Sequence, residues 1–431
     1  MIVLRILKRC AYGIGEFAGA YHPAHAGALA VSVLEDRSKP VAVTPSSRHL
    51  QKATTWIKSA QDAVQGGGVA WGYRARCGFR RLAPLGWIAP YPETTGYIIP
   101  SMIRYAELTG DTDSLERARR MADWETAIQL PDGGFQGGIF GDQPVASSTF
   151  VTGQVLFGLT AAYERFREEH VRDAALRAGD WLLSCLDYSG RFIKGYSHFC
   201  APGPKAYEVR TGAALAELAD SLDEPRFREA AARIAGYALS MQQPNGWFAE
   251  NDLNFEDQPL THTIGYVLEG LQGIAVRLNR EDLLEAVRTT LDAIEPLIGE
   301  DGRLPGRFRA DWSPAVDWVC LTGSAQLAGV FLRMYMLSSD IRYFHAGKRL
   351  LGFVCFTQDL GPGIQGLDGG IRGSYPFGGA YGQWCVLNWA TKFFADSLME
   401  YFEAERTAII QAPHQNPLPE TADDSYRGKL A

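Results

Sequence analysis

The sequence has no long basic run: 42 Lys and Arg stand against 49 Asp and Glu, for a formal charge of −7. Nothing in it could neutralise a succession of phosphates, so a nucleic-acid partner is not expected. Cysteine is scarce and scattered. The seven residues, at 10, 77, 185, 200, 320, 355 and 385, are odd in number and include no CxxC pair, which argues against a disulfide framework or a structural zinc site. His198 with Cys200 in SHFC, and His22 with His25 in HPAH, lack the spacing of a ligand set; no metal and no cofactor is expected. Long apolar runs are missing too. Arg5, Lys8 and Arg9 interrupt the N-terminal candidate, so neither a secretory signal nor a membrane span is expected, and the cytoplasm is the expected compartment. Residues 1–16 read as irregular packing against the domain, with an amphipathic membrane-touching segment as the alternative.

What the chain does have is apolar and aromatic mass: 46% hydrophobic residues, with 10 Trp, 18 Tyr and 21 Phe. It can fill a large core and still line a pocket with rings. It also repeats. A Gly-rich turn closed by a large apolar residue recurs as GGGVAW ending at Trp71, PDGGF at Phe135, SGRF at Phe192, PNGW at Trp247, EDGRL at Leu304 and LDGGI at Ile371. A fixed period of this length decides the fold before any local reading does.

Each turn follows an Ala-rich segment of mixed charge with apolar residues at helical spacing, such as Leu283, Val287, Leu291 and Ile294. These segments predict outer helices with one wet face. Each turn precedes, after a longer loop, a segment apolar on most sides, with a Gly near its start at 96, 153, 212, 265 and 323. These predict inner helices. The links from inner to outer helix are short and carry helix-start chemistry, with Asp113 three residues before Glu116 and a carboxylate before Pro225. Short links make antiparallel neighbours. The expected fold is all-α, an (α/α)6 toroid of six helical hairpins, closed because nothing resembles polar capping repeats at the ends. Its expected limits are residues 49–403, after an N-terminal extension over 1–48 and before a polar, disordered tail over 404–431, with the last inner helix near 381–403.

All six long loops then gather on one face, around the N-termini of the inner helices, and that is where to look for function. Six helix N-termini also make this mouth weakly positive. Glu93, Glu208, His262 and Asp317 are the candidate catalytic residues there. Candidate substrate contacts are Trp71, Tyr97, Arg210, Trp247, Tyr266, Asp311, Arg372, Tyr375, Tyr381, Gln383 and Trp384. Carboxylates among aromatic rings suit sugar chemistry: rings stack on sugar faces, and acids and bases act at the glycosidic or ring carbon. Each residue also has a plainer role open to it. Glu93, Glu208 and Asp317 could cap helices, Asp311 could serve a turn, and His262 could be a satisfied structural histidine. Arg210 and Arg372 suit a substrate carboxylate or phosphate, and a salt bridge to Glu208 is the alternative for Arg210.

The DGGF and NGWF turns between paired helices resemble those of the six-hairpin glycosidase-like superfamily, and also those of the terpenoid cyclase and protein prenyltransferase toroids. PYPETTGYIIPSMIRYAELTGD further resembles segments of bacterial proteins encoded with exopolysaccharide biosynthesis genes. QxxxGxW-like stretches at 129–135 and 242–248 end in Phe, and the cyclase DxDD motif is missing, as are the prenyltransferase DxC pair and the adjacent Cys-His pair of lanthionine-cyclase-like proteins. The resemblance to carbohydrate-active toroids implies either Asp-based hydrolysis, as in unsaturated glucuronyl hydrolases, or Tyr, His, Arg and Glu chemistry, as in uronate lyases and C5-epimerases. Tyr97, Tyr266, His262, Glu208 and Arg210 are the residues available for the second set. The expected ligand is a bacterial polysaccharide or oligosaccharide containing acidic sugars. The competing expectation is a non-catalytic polysaccharide-binding or scaffold protein of a biosynthetic complex.

Overall fold

The computed structural model describes residues 43–75, 85–196, 202–253, 255, 257–361 and 366–411. The N-terminal extension up to residue 42, the SHFC and HPAH histidines and the tail beyond Gln411 lie outside the described residues.

Among the described residues, twelve α-helices alternate between two concentric rings. The outer ring is α1 (Ser47–Asp62), α3 (Thr112–Ile128), α5 (Glu169–Ser184), α7 (Pro225–Ser240), α9 (Glu281–Ile294) and α11 (Ile341–Thr357). The inner ring is α2 (Pro92–Thr109), α4 (Thr149–Phe166), α6 (Val209–Leu222), α8 (Thr261–Leu278), α10 (Leu321–Ser338) and α12 (Asn388–Gln411). Each inner helix packs on the next, α12 returns to α2, and α12 also pairs with α1, so the toroid closes. The burial pattern follows the sequence. Outer helix α9 buries Leu283, Ala286, Val287, Thr290, Leu291 and Ile294 along one stripe, whereas inner helix α10 is buried through nearly its whole length.

Five inner helices end on a left-handed residue: Gly110, Arg167, Asp223, Asn279 and Ser339. A reversal follows at once, which sets each outer helix antiparallel to its inner partner. The cap of α3 is Asp111, which accepts from the amides of Asp113 and Ser114 at 3.1 and 3.3 Å, and not the expected Asp113. Glu224 occupies the N-cap ahead of Pro225, as the short link suggested, but its side chain makes no capping bond.

The six Gly turns explain the repeat. Gly67, Gly133, Gly190, Gly246, Gly302 and Gly369 all have positive φ, and a Cβ on each would come within 2.1 to 2.8 Å of a carbonyl oxygen of the next outer helix, at Arg120, Arg177, Arg233, Thr289, Arg349 and Lys52 respectively. Only glycine fits both demands. The last of these contacts, Gly369 on α1, again closes the circle.

Short strands at the seam were not anticipated. β1 (Gly72–Arg74), β2 (Gly86–Trp87), β4 (Ile371–Arg372) and β6 (Cys385–Leu387) form a sheet in the order β2-β1-β6-β4, and β3 (Val319–Cys320) pairs with β5 (Ser374–Tyr375). All the pairings are antiparallel. Because Cys385–Leu387 pair with β1 and β4, the last inner helix starts at Asn388, later than the expected 381, and runs on to Gln411, past 403.

Candidate active site

The inner-helix N-termini bring one group of candidates together at the ring axis. Glu93 sits in the first turn of α2, where the Tyr91 hydroxyl donates to its Oε2 at 2.8 Å. Burial pushes the Glu93 carboxyl up to about 7, although the Tyr91 hydrogen bond and the positive charge of Arg210 work against it. One turn on, the Tyr97 hydroxyl is buried beside that of Tyr266 on α8, which in turn faces the Glu93 carboxyl. Each is an electrostatic neighbour of Glu93.

His262, in the first turn of α8, lies 4.3 Å from the Tyr266 ring and 5.7 Å from that of Tyr381, centroid to centroid. Its Nδ1 faces the Gln326 carbonyl oxygen on α10, which assigns the proton to Nδ1 and makes Nε2 the acceptor nitrogen. Burial lowers its pKa to about 3, and the charge of Arg210 adds to that, so the imidazole is neutral at ordinary pH. Rings wall this space. Phe393 stands 5.4 Å from Tyr97 and 5.9 Å from Tyr266. Trp389 donates to the Tyr381 hydroxyl at 2.9 Å and takes Trp71 edge-on at 4.8 Å.

Arg210 also lies at the axis, but its charge is already engaged. Its Nε donates to Glu269 Oε2 at 2.9 Å and its Nη1 to the Gln154 carbonyl oxygen. Its Cζ stands 4.8 to 5.4 Å from the rings of Tyr97, Phe157, Tyr266 and Phe393. Gln326 Nε2 donates to the same Glu269 oxygen at 3.2 Å. A polar belt therefore runs His262, Gln326, Glu269, Arg210, Gln154 across four inner helices. The salt bridge considered for Arg210 is made with Glu269 and not with Glu208.

Glu208 makes a different set of contacts. It accepts from the Thr149 hydroxyl at 2.9 Å and from the Lys205 amide at 3.3 Å, and burial pushes it up to about 7. These bonds tie the loop before α6 to the start of α4.

The remaining candidates lie in loops and in the short strands. Asp317 and Gln383 are exposed, and Gln383 donates to the Gly378 carbonyl at 2.9 Å. Asp311 is exposed and accepts from the Ser313 amide at 2.9 Å, which is turn chemistry. Trp247 packs edge-on against Trp312 at 5.2 Å in a rim stack. Arg372 donates to the Thr357 carbonyl, Tyr375 packs on Phe353 and Phe356, and Trp384 packs on Phe377. The one group of possible metal ligands among the described residues, Asp123, Glu168 and His170, is on the outer wall, where Arg119 already pairs with Glu168.

The sequence reading passed over Gln154, Glu269, Gln326, Trp389 and Phe393. A polar side chain inside an otherwise apolar inner helix, as in TGQVLFGL or GSAQLAGV, is the signal that could have found the glutamines.

No protein-family model and no curated protein matches the chain. Solved structures do. An unsaturated glucuronyl hydrolase specific for heparin aligns with a TM-score of 0.64 at 15% identity, over 83% of this chain and 97% of that one. Cellobiose 2-epimerase from Spirochaeta thermophila DSM 6192 gives 0.65 at 16%, over 83% and 95%. A D-mannose isomerase gives 0.62 at 13%, over 83% and 96%. At these identities the likeness establishes the (α/α)6 toroid fold.

Proposed function

We propose that this protein is a carbohydrate-active enzyme that moves protons at a sugar carbon beside a carbonyl or carboxyl group, as an epimerase or lyase does. One observation carries the proposal: a carboxyl with its pKa near 7, a neutral histidine, and two buried tyrosine hydroxyls that face each other and the carboxyl converge from two facing inner helices inside aromatic walls. A base is most effective when its pKa lies near the working pH, and Glu93 meets that condition. In this scheme the Glu93 carboxylate takes the proton from carbon, and the electron pair moves onto the adjacent carbonyl or carboxyl oxygen. A Tyr97 or Tyr266 hydroxyl then gives a proton either to the opposite face of that carbon, which is epimerisation, or to the departing glycosidic oxygen, which is elimination. His262 Nε2 accepts a hydrogen bond from a sugar hydroxyl and fixes its position.

Hydrolysis calls for two carboxyl groups across the scissile bond. Here Glu93 has a histidine and tyrosines about it, while Glu269 is held by Arg210 and Gln326. The names of the similar structures, an epimerase, an isomerase and a glucuronyl hydrolase, support a saccharide substrate. The PYPETTGY resemblance supports an acidic bacterial exopolysaccharide, or its repeat unit, in a biosynthetic setting.

The test is incubation with acidic oligosaccharides in heavy water, following mass, reducing ends and absorbance of unsaturated uronates. Deuterium uptake without chain cleavage marks epimerisation, and new absorbance marks elimination. New reducing ends without absorbance mean hydrolysis and overturn the proton-transfer mechanism. Binding without turnover, unchanged in Glu93→Gln and His262→Ala, means a binding protein and overturns the enzyme.

A further inference from the structure

Removing a proton beside a sugar carboxylate is easier when a cation neutralises that carboxylate, and Arg210 is committed to Glu269. Arg307 is in a different position. It lies in the loop between α9 and α10, is only 6% exposed, and pairs through its backbone with Leu260 at the start of α8. The Thr261 amide donates to the neighbouring Gly306 carbonyl at 3.0 Å. The loop is thus stitched to the helix that carries His262, at the mouth of the site.

The guanidinium itself is lightly held. Its Nη1 donates to the Gln258 carbonyl, and its Cζ stands 4.7 Å over the ring of Phe255, which is 58% exposed. Among the described residues no carboxylate lies within ion-pair distance of it. The acid whose charge does reach it, Asp252, is bound to Lys205 Nζ at 3.0 Å. Its other electrostatic neighbours are Cys320 and Tyr381, and Tyr381 borders His262. Burial depresses the Arg307 pKa, and the group still stays charged at neutral pH. A desolvated guanidinium without a counter-ion is unfavourable by itself, and a planar anion that accepts two parallel N–H bonds relieves the cost.

We propose that Arg307 receives the carboxylate of a uronic-acid residue at the mouth of the site, with the exposed Phe255 ring beside it against the sugar. This assignment rests on the carbohydrate function proposed above and adds its charge preference.

The experiment measures binding of uronate tetrasaccharides (galacturonate, mannuronate and glucuronate-containing) to the full chain, each beside the same glycan with its carboxyl groups reduced to alcohols. At least one acidic member should bind the wild type about 10- to 100-fold more tightly than its reduced counterpart, with the gap shrinking as salt is raised. Arg307→Gln should erase the gap by weakening the acidic glycan alone. Arg307→Lys should retain part of it, which also decides the matter if the glutamine variant does not fold. Equal binding of acidic and reduced glycans by the wild type, or a gap that survives in folded Arg307→Gln, overturns the assignment while leaving the carbohydrate function standing. Failure of every glycan of both kinds to bind overturns the two together.

Discussion

Burial acts on Glu93 and His262 in opposite senses, because it disfavours whichever form is charged. The carboxyl rises to about 7 and the imidazole falls to about 3, so of these two groups only Glu93 changes state between pH 4 and pH 9. If its carboxylate is the base, kcat/KM should climb through about pH 7 and level off above it, with no limb from the histidine. A pH–rate profile flat from 6 to 8 would remove Glu93 from that role. Glu93→Gln should lower turnover by roughly 10²- to 10⁴-fold while glycan binding persists, and a variant retaining wild-type turnover would sink the mechanism. Glu208 gives a stability prediction. Its folded pKa, about 7, exceeds the ordinary 4.5, so the folded state holds more protons between those values. The stability this group contributes is whole below about 4.5 and is lost as pH rises through 7. Melting temperatures of the wild type should therefore fall relative to Glu208→Gln as pH goes from 5 to 8, on top of a constant offset from altered hydrogen bonding. A pH-independent difference would show that Glu208 is not protonated by burial. The acidic and aromatic candidates were legible because YPETTGY and LTHTIGY set them at helix starts. The commitment of Arg210 to Glu269 was not legible, since those residues are far apart in sequence and meet only across two packed helices.

At the scale of the element, the six turns show why a motif so short could reveal a ring. Each needs a glycine twice over, for its backbone angle and for the carbonyl it faces, and the two demands can be separated by substitution. Gly302 has φ of +82° and a Cβ there would fall 2.1 Å from the Arg349 carbonyl oxygen, whereas Gly110 has φ of +75° with nothing within 4 Å. Gly110→Ala should then cost about 1 kcal/mol, the left-handed penalty alone. Gly302→Ala should cost at least about 2 kcal/mol, because α11 must also move away from the turn. Equal losses in urea denaturation would mean that the carbonyl contact is not what conserves spacing between neighbouring hairpins. The period was readable because glycine has few substitutes in such a place. The strand Cys385–Leu387 was not readable: CVL is a three-residue apolar run that continues smoothly into NWATKFF, and only its pairing with β1, more than three hundred residues earlier, makes it a strand.

At the scale of the whole molecule, closure is the property from which the site follows. One polar residue on an inner helix, such as Gln154 or Gln326, looks like an isolated exception in an apolar segment; with the ring closed, these residues meet at the axis and form a belt. The sequence therefore disclosed the ring and its mouth but not the belt inside it. Closure also concentrates its bonds at one seam. Asn388, at the start of α12, donates to the Ala70 carbonyl at 2.8 Å and to the Thr94 hydroxyl at 2.7 Å, joining the last hairpin to the first. Trp56 donates to the Gly366 carbonyl at 2.8 Å, and Lys52 pairs with Asp368 at 2.7 Å, across the same junction. Asn388→Ala leaves the Ala70 carbonyl without its side-chain donor and the Thr94 hydroxyl with only the bond it donates to the Tyr91 carbonyl, in a dry place, which should cost about 2–3 kcal/mol. Because every inner helix packs on two neighbours, that loss should move the entire unfolding transition. Tryptophan emission, to which Trp56, Trp71 and Trp389 at the seam contribute among the ten tryptophans, and far-ultraviolet circular dichroism, which reports the helices of both rings, should shift to lower urea together with an unchanged slope. An earlier fluorescence transition followed by a separate loss of helix would instead show the toroid opening at its seam as a solenoid does, with the axis cluster dispersed before the hairpins melt.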